Sequence, residues 1–227
     1  MVVNLNMKKN IIVFIFAVSS MLIISCSAKD VTLRRIEDVH KAEQKLTKNP
    51  DDEETVLEVL NAAQNGGREV RAEAIWVLGK IEADIAYSDF LRASVEDPDF
   101  NVRCLAVLGL GRLDANNPEA IDRIKRAISD TDLQVQIEGL KVAGRMNAKE
   151  LLNSILDSLS SKNKWVRMAA VEALKDYDDA RVDRSLNLLV STDKDYAVRS
   201  TINQVIEYRK NKKSEVKEEI KETASAK

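Results

Sequence analysis

The chain has 227 residues, with 35 Lys and Arg against 37 Asp and Glu, one His, two Cys and 4% aromatic residues. A balance this close to neutral offers no basic surface for nucleic acid, and a single His cannot build a His-rich metal centre. Few aromatics beside many Ala, Leu, Val, Glu, Lys and Arg favour helices over sheets.

The first 25 residues stand apart. Lys8 and Lys9 precede residues 11–24, fourteen positions without a charge. A membrane span needs roughly 20 residues, so this run fits the hydrophobic region of a signal segment better. It ends Ile23-Ile24-Ser25-Cys26, which resembles the lipobox of bacterial lipoproteins. The resemblance implies cleavage between Ser25 and Cys26 and a diacylglycerol on the Cys26 sulfur. An ordinary cleaved signal peptide and an uncleaved anchor are the alternatives. Loss of residues 1–25 removes two lysines and no acid, leaving 33 bases, 37 acids and a formal net charge of −4. With Cys26 acylated, Cys104 is the remaining thiol and no intrachain disulfide can form. Lying among Val102, Leu105 and Ala106, Cys104 reads as a small packed residue rather than a nucleophile.

Residues 26–30 form a short polar tether. A helix capped by Asp30 or Thr32 and running to about Leu46 follows, with Leu33, Ile36, Val39 and Leu46 on its apolar side; we read it as a capping helix. Asn49-Pro50-Asp51-Asp52 stops and restarts the chain, with Glu54 at capping-box distance from Asp51. From there a grammar recurs. Val70-Arg71, Val102-Arg103, Val135-Gln136, Val166-Arg167 and Val198-Arg199 are spaced by 32, 33, 31 and 32 residues, the mark of a repeat array. First helices are predicted at 52–64, 84–95, 117–129, 149–160 and 181–192. Second helices are predicted at 68–81, 100–113, 133–146, 164–176 and 196–210. Residues 211–227 carry mixed charge and almost no apolar side chains, the composition of a disordered tail.

Five helix pairs with this Asp-x-Asp, Val-Arg and Leu-Gly grammar resemble HEAT repeats, in the short form associated with phycobilin lyases, over about residues 51–210. The resemblance implies an all-α, right-handed α-solenoid of about five HEAT-like helix pairs plus the N-terminal capping helix, so residues 31–210 form the repeat domain.

Rotating each second helix by 100° per residue from its valine divides the columns. Positions 0, 4, 5, 7, 8 and 11 form an apolar core arc, bordered by the glycines at position 9 (Gly79, Gly111, Gly144). The Arg at position 1 falls inside that arc and needs acceptors. The acids of the preceding turns (Asp97 and Asp99, Asp130 and Asp132, Asp193 and Asp195) are the expected partners in an Arg–Asp ladder, and the second acid of each turn, or Asn163, is the expected N-cap. An Arg row gripping an anionic ligand is the alternative, weakened by Gln136. Positions −1, 3, 6 and 10 point away from the core and vary between repeats. On them Trp76, Leu105, Leu108 and Trp165 form a candidate partner surface; coverage by neighbouring helices is the competing reading.

His40 has no Cys near it, the glycines form no phosphate loop, and no serine sits in a nucleophile motif. The sequence therefore predicts no enzyme, no cofactor, no metal site and no small-molecule substrate. The expected function is a lipid-anchored envelope protein serving as a protein–protein interaction scaffold or adaptor, with another envelope protein as partner and the membrane reached through acylated Cys26. A carrier or chaperone holding peptide clients in a concave groove is the second reading; a lyase-like enzyme helper is disfavoured, because the lipobox directs the chain out of the cytoplasm. Ser27 after the Cys favours the outer membrane by analogy.

Overall fold

Each helix starts where the chain supplies an acceptor for its first N–H groups and ends where that supply fails. A computed structural model describes residues 33–113 and 117–225, which belong to one compact unit. The signal segment, Cys26 and the tether lie outside the described residues, as do Asp30 and Thr32.

Eleven α-helices lie within the described residues: α1 Ile36–Lys48, α2 Glu53–Asn65, α3 Arg68–Lys80, α4 Tyr87–Glu96, α5 Phe100–Leu113, α6 Pro118–Ile128, α7 Leu133–Met146, α8 Leu152–Ser158, α9 Lys164–Ala173, α10 Ala180–Thr192 and α11 Tyr196–Ser225. Short 3₁₀ turns, Asp84–Ala86 and Lys149–Leu151, lead into α4 and α8. The five pairs from α2–α3 to α10–α11 match the predicted repeats. Second helices stack in one layer, α3 on α5, α5 on α7, α7 on α9 and α9 on α11, while α1 packs against α2 and α3 as the N-terminal layer.

The core follows the repeat columns. Val70, Val102, Val135, Val166 and Val198 are all buried, as are Ala74, Ala106, Ala170 and Ile202 four residues on and Leu78, Leu110, Ala143 and Leu174 eight residues on. Burying each of the larger side chains stabilises the fold by about 1.5–3 kcal/mol. The column frays only at the end, where Ile206 is half-buried. Glycine serves close approach rather than helix termination. A Cβ on Gly144 would lie 2.8 Å from the Ala173 Cα, and one on Gly111 2.5 Å from a Val142 methyl.

The turn acids divide their work. Asp99, Asp132, Asn163 and Asp195 accept the N–H groups of Asn101, Gln134, Trp165 and Ala197, capping α5, α7, α9 and α11 as expected. At α2 the cap is Asp52, which accepts from the Thr55 N–H, rather than the Asp51–Glu54 box. The cap expected for α1 is replaced by Arg35, whose side chain makes no capping bond.

The Arg ladder forms, but it runs the other way. Arg71 chelates Asp97, Arg103 chelates Asp130 and Arg167 chelates Asp193, so each guanidinium reaches the turn of the following repeat and not its own. Toward its own turn it donates only to backbone carbonyls: Arg71 to Gly66, Arg103 to Asp97, Arg167 to Ser161 and Arg199 to Asp193. Gln136 keeps this second task, donating to the Asp130 carbonyl, while Ser161 stands where the next acid would be. The two departures from the pattern explain each other.

A second set of clasps closes the far ends of the second helices. Arg112 donates to the Gly79 carbonyl, the Tyr177 hydroxyl to the carbonyls of Ala143 and Ala148, and Arg209 to those of Leu174, Lys175 and Tyr177. Burial pushes the Tyr177 phenol up, so it stays protonated and donating.

The last helix overturns one expectation. Instead of ending near Lys210 it continues to Ser225. Residues 211–225 are mostly Lys and Glu, strong helix formers, and α11 supplies the nucleus that makes propagation favourable. Lys212 on Asp176 and Lys213 on Asp183 hold the first turn of the extension.

Two non-glycine residues, Glu82 and Asn147, adopt left-handed backbone at φ 51° and 50°. Asn tolerates this as a helix end; Glu does not, at a cost of roughly 1–2 kcal/mol. Glu82→Gly should therefore raise stability by about 0.5 kcal/mol after allowing for the looser unfolded chain. An unchanged or lower midpoint in urea would refute this.

Candidate functional site

The variable face of the second helices holds the four residues singled out above. Trp76 on α3 is 37% exposed, and Trp165 at the start of α9 is 53% exposed. Leu105 and Leu108 on α5 are half-buried and pack against the core. The α5 helix that carries them packs between α3 and α7. Trp76 stands on α3, which packs directly against α5. Trp165 is not part of that patch: α7 intervenes, and its position lies seven residues nearer the helix start, about 10 Å along the axis.

Each tryptophan has a cation above its ring, Lys80 at 5.0 Å from the Trp76 centroid and Lys164 at 5.2 Å from that of Trp165. The α1 helix borders the Trp76 patch: His40 hydrogen-bonds Glu73, and Glu43 pairs with Lys80. Along α7 the same face is occupied by Glu138 paired with Lys141 and Arg145. Trp165 opens instead onto a shallow groove between two turns, shared with Lys162, Asn163, Lys164, Arg167, Lys194 and Asp195.

The Arg residues are engaged in stacking rather than presented as a ligand-gripping row. Arg103 and Asp130 side chains are 11% and 12% exposed and face each other in bidentate contact. Burial pushes the Asp130 carboxyl up, but the Arg103 hydrogen bonds, the Asp132 N–H and the Arg103 charge together hold it below the usual carboxylate range. Asp97 behaves alike, burial being outweighed by Arg71, the Asp99 N–H and Arg92. For Asp193 the hydrogen bonds from Arg167 are the leading cause of its lowered value.

Sequence reasoning missed Arg209. It is buried, bonds Asp183 through Nε and gathers three carbonyls through Nη1. The available signal was its column: position 11 holds Ile81, Leu113, Met146 and Tyr177 before it, and a cation in an apolar column must be satisfied from within.

Among the described residues no group of three or more His, Cys, Asp or Glu is placed to hold a metal ion, and no helix is long and apolar enough to cross a membrane. Cys104 is half-buried; burial, with Glu138 and Asp132 adding, pushes its thiol up to about 11. Its thiolate should be scarce at pH 8, and alkylation of a Cys26→Ser variant should run at least about tenfold slower than for an open cysteine. Equal rates would overturn the assignment of Cys104 as a packed residue.

Helical hairpins stacked in register, each stapled to the next, define an α-solenoid repeat protein. The sequence matches the profile of HEAT repeats over residues 54–138 and 123–207, together more than half of the chain. The chain belongs to the HEAT-repeat family. No curated protein matches it. Among solved structures it is similar to an engineered protein at 18% identity and a TM-score of 0.52, covering 78% of this chain and 90% of that one. Weaker likenesses are to human deoxyhypusine hydroxylase (14% identity, TM-score 0.43, 78% and 79% covered) and to the CpcE–CpcF complex of phycocyanin lyase from Nostoc (20%, 0.36, 76% and 91%). The first of these likenesses speaks to fold only.

Proposed function

We propose that this HEAT-repeat chain is a protein-interaction scaffold of the bacterial envelope, held at the membrane by a lipid on Cys26. HEAT repeats suggest a scaffold in general terms. The observation that carries the reading is the pair of exposed tryptophans on the one helix face whose residues do not repeat. Neither Trp belongs to the buried core that stacks the repeats, and Trp is over-represented among the residues that dominate binding energy. Trp76, together with the half-buried Leu105 and Leu108 on the adjoining helix α5, is the anchor for a partner protein.

Trp76→Ser and Trp165→Ser test this without touching the half-buried leucines. The double variant should keep its fold by circular dichroism and lose at least tenfold in yield of a defined envelope partner in crosslinking pull-downs. Undiminished yield would remove both tryptophans from the site. A single stable partner supports the scaffold; many unrelated clients, each competed by unfolded peptide, would favour the carrier or chaperone reading instead. The anchor rests on Lys8, Lys9, the uncharged run and Ser25-Cys26, with Ser27 supporting the outer membrane. Labelled palmitate should enter the chain and be absent from Cys26→Ala; labelling that survives the substitution refutes the anchor.

A further inference from the structure

Three of the five repeats end in a filled rung, with two N–H···O bonds of 2.7 to 3.0 Å from an Arg to the carboxylate of the following repeat. The fourth case is instructive. Where no acid follows, at Ser161, the chain places Gln136, whose amide suffices to cap the Asp130 carbonyl. Among the described residues no repeat follows the fifth, yet it carries Arg199 and not a glutamine. Arg199 caps the Asp193 carbonyl at 2.8 Å through Nη1 and lies 5.9 Å from the centroid of the Tyr196 ring. Among the described residues, its Nε and Nη2, the atoms that chelate in the filled rungs, meet no carboxylate.

The surroundings are short of negative charge. Asp193 is engaged by Arg167, and Asp195 caps α11 and pairs with Lys164. Lys162 and Lys194 lie on the same turns, and among the described residues neither has an acid partner. Tyr196, 77% exposed, offers a flat apolar face beside the guanidinium. The earlier turns contrast with this, reading Asp97-Pro98-Asp99 and Asp130-Thr131-Asp132.

We propose that the C-terminal end of the array, at Arg199, is a docking surface for a second protein that presents an acidic turn ahead of a helix. Its Asp or Glu takes the place that Asp97, Asp130 and Asp193 take within the chain. The argument for this occupant is continuity with a junction already built three times and the complementarity of Arg199, with Lys194 on the same repeat, to a carboxylate-bearing turn. Bidentate geometry selects a carboxylate fixed on a rigid backbone over a diffuse anionic surface. The proposal names a surface separate from the Trp76 patch, reached past the groove onto which Trp165 opens, and shares with the scaffold reading only the need for a protein partner.

The test uses the full chain in its native membrane, with the photo-crosslinking residue p-benzoylphenylalanine placed at Asn203, which is exposed four residues beyond Arg199 on α11, or, in a separate variant, at Trp76. Crosslinks from position 203 should map by mass spectrometry to an acidic turn of another protein. They should fall at least fivefold in R199Q, which retains the carbonyl cap as Gln136 does, and return when R199D is combined with Arg at the mapped acidic residue. Crosslinks from 76 but not from 203 would overturn end-on docking and leave the scaffold standing; none from either position would count against both. Crosslinks from 203 to a second copy of this chain, or to lipid, also overturn the assignment.

Discussion

Asp130→Ser should cost the array about 3 kcal/mol, the low end of the range for removing one member of a buried ion pair. The change leaves the Arg103 fork in a nearly closed site without its carboxylate, while the serine hydroxyl can still accept the Asp132 N–H, as Ser161 accepts that of Asn163. Adding Arg103→Gln should bring the loss back to about 1 kcal/mol, because the double variant copies the natural Gln136–Ser161 junction and no charge is left unpaired. Urea unfolding of the two single variants and the double closes the cycle; a double equal to the sum of the singles would deny any coupling across the rung. As a control, Asp122→Ala breaks an exposed pair with Arg126 and should cost under about 0.5 kcal/mol.

The same rungs fix the sign of the response to acid. The carboxyls of Asp97, Asp130 and Asp193 titrate lower in the folded chain than their unfolded value of about 3.9. Their contribution is complete above that value and is lost as pH falls below it toward the folded values. Stability should therefore be level near neutrality and fall steeply below about pH 4, less steeply in the Arg103→Gln, Asp130→Ser double. Equal acid slopes would show that the rung does not carry the dependence.

Phe90→Ala should be the most damaging single truncation, at about 4 kcal/mol. Phe90 is the largest of the wholly buried side chains, and it fills the space that glycine leaves on α5. A Cβ on Gly109 would lie 2.5, 2.7 and 2.9 Å from three atoms of the Phe90 ring, while Gly79 meets the same ring at ordinary contact distance. Gly109→Ala should thus destabilise by about 1–2 kcal/mol, the overpacking outweighing the helix preference gained. Phe90→Leu should cost less in the Gly109→Ala background than alone, because the smaller side chain makes room for the new methyl. Additive losses would show that ring and glycine do not share one space.

The helices, the core columns and the N-caps were legible because each depends on local spacing. Val, Ala and Leu at positions 0, 4 and 8 recur every 31 to 33 residues, and an Asp or Asn three residues before the valine can do little else than cap. The direction of the Arg ladder was not legible. In a periodic chain the acids before and after Arg103 are equally good partners by spacing, and only the three-dimensional stagger of the repeats chooses Asp130. The partial burial of Leu105 and Leu108 was hidden for a similar reason, since a helical wheel shows where a side chain points and not how closely the neighbouring layer packs. The extension of α11 past Lys210 was not legible because composition without apolar residues excludes a core but not a helix already nucleated upstream. Trp76 and Trp165 lie outside the core as the wheel required, but their separation along the axis divides one expected surface into two places.

The missing rung between Gln136 and Ser161 gives the array a joint. On one side three repeats are riveted by Arg71–Asp97 and Arg103–Asp130, on the other two by Arg167–Asp193. Short, directional ion pairs resist shear; at the third junction that task falls to the neutral bonds of the Tyr177 hydroxyl to the Ala143 and Ala148 carbonyls and to the close approach of Gly144 to Ala173. Under load, or when a ligand pulls its two ends together, the array should flex between its third and fourth repeats while each block moves as a unit. That joint lies between the Trp76 patch and Trp165, so bending there changes the span between the two anchoring points without disturbing either.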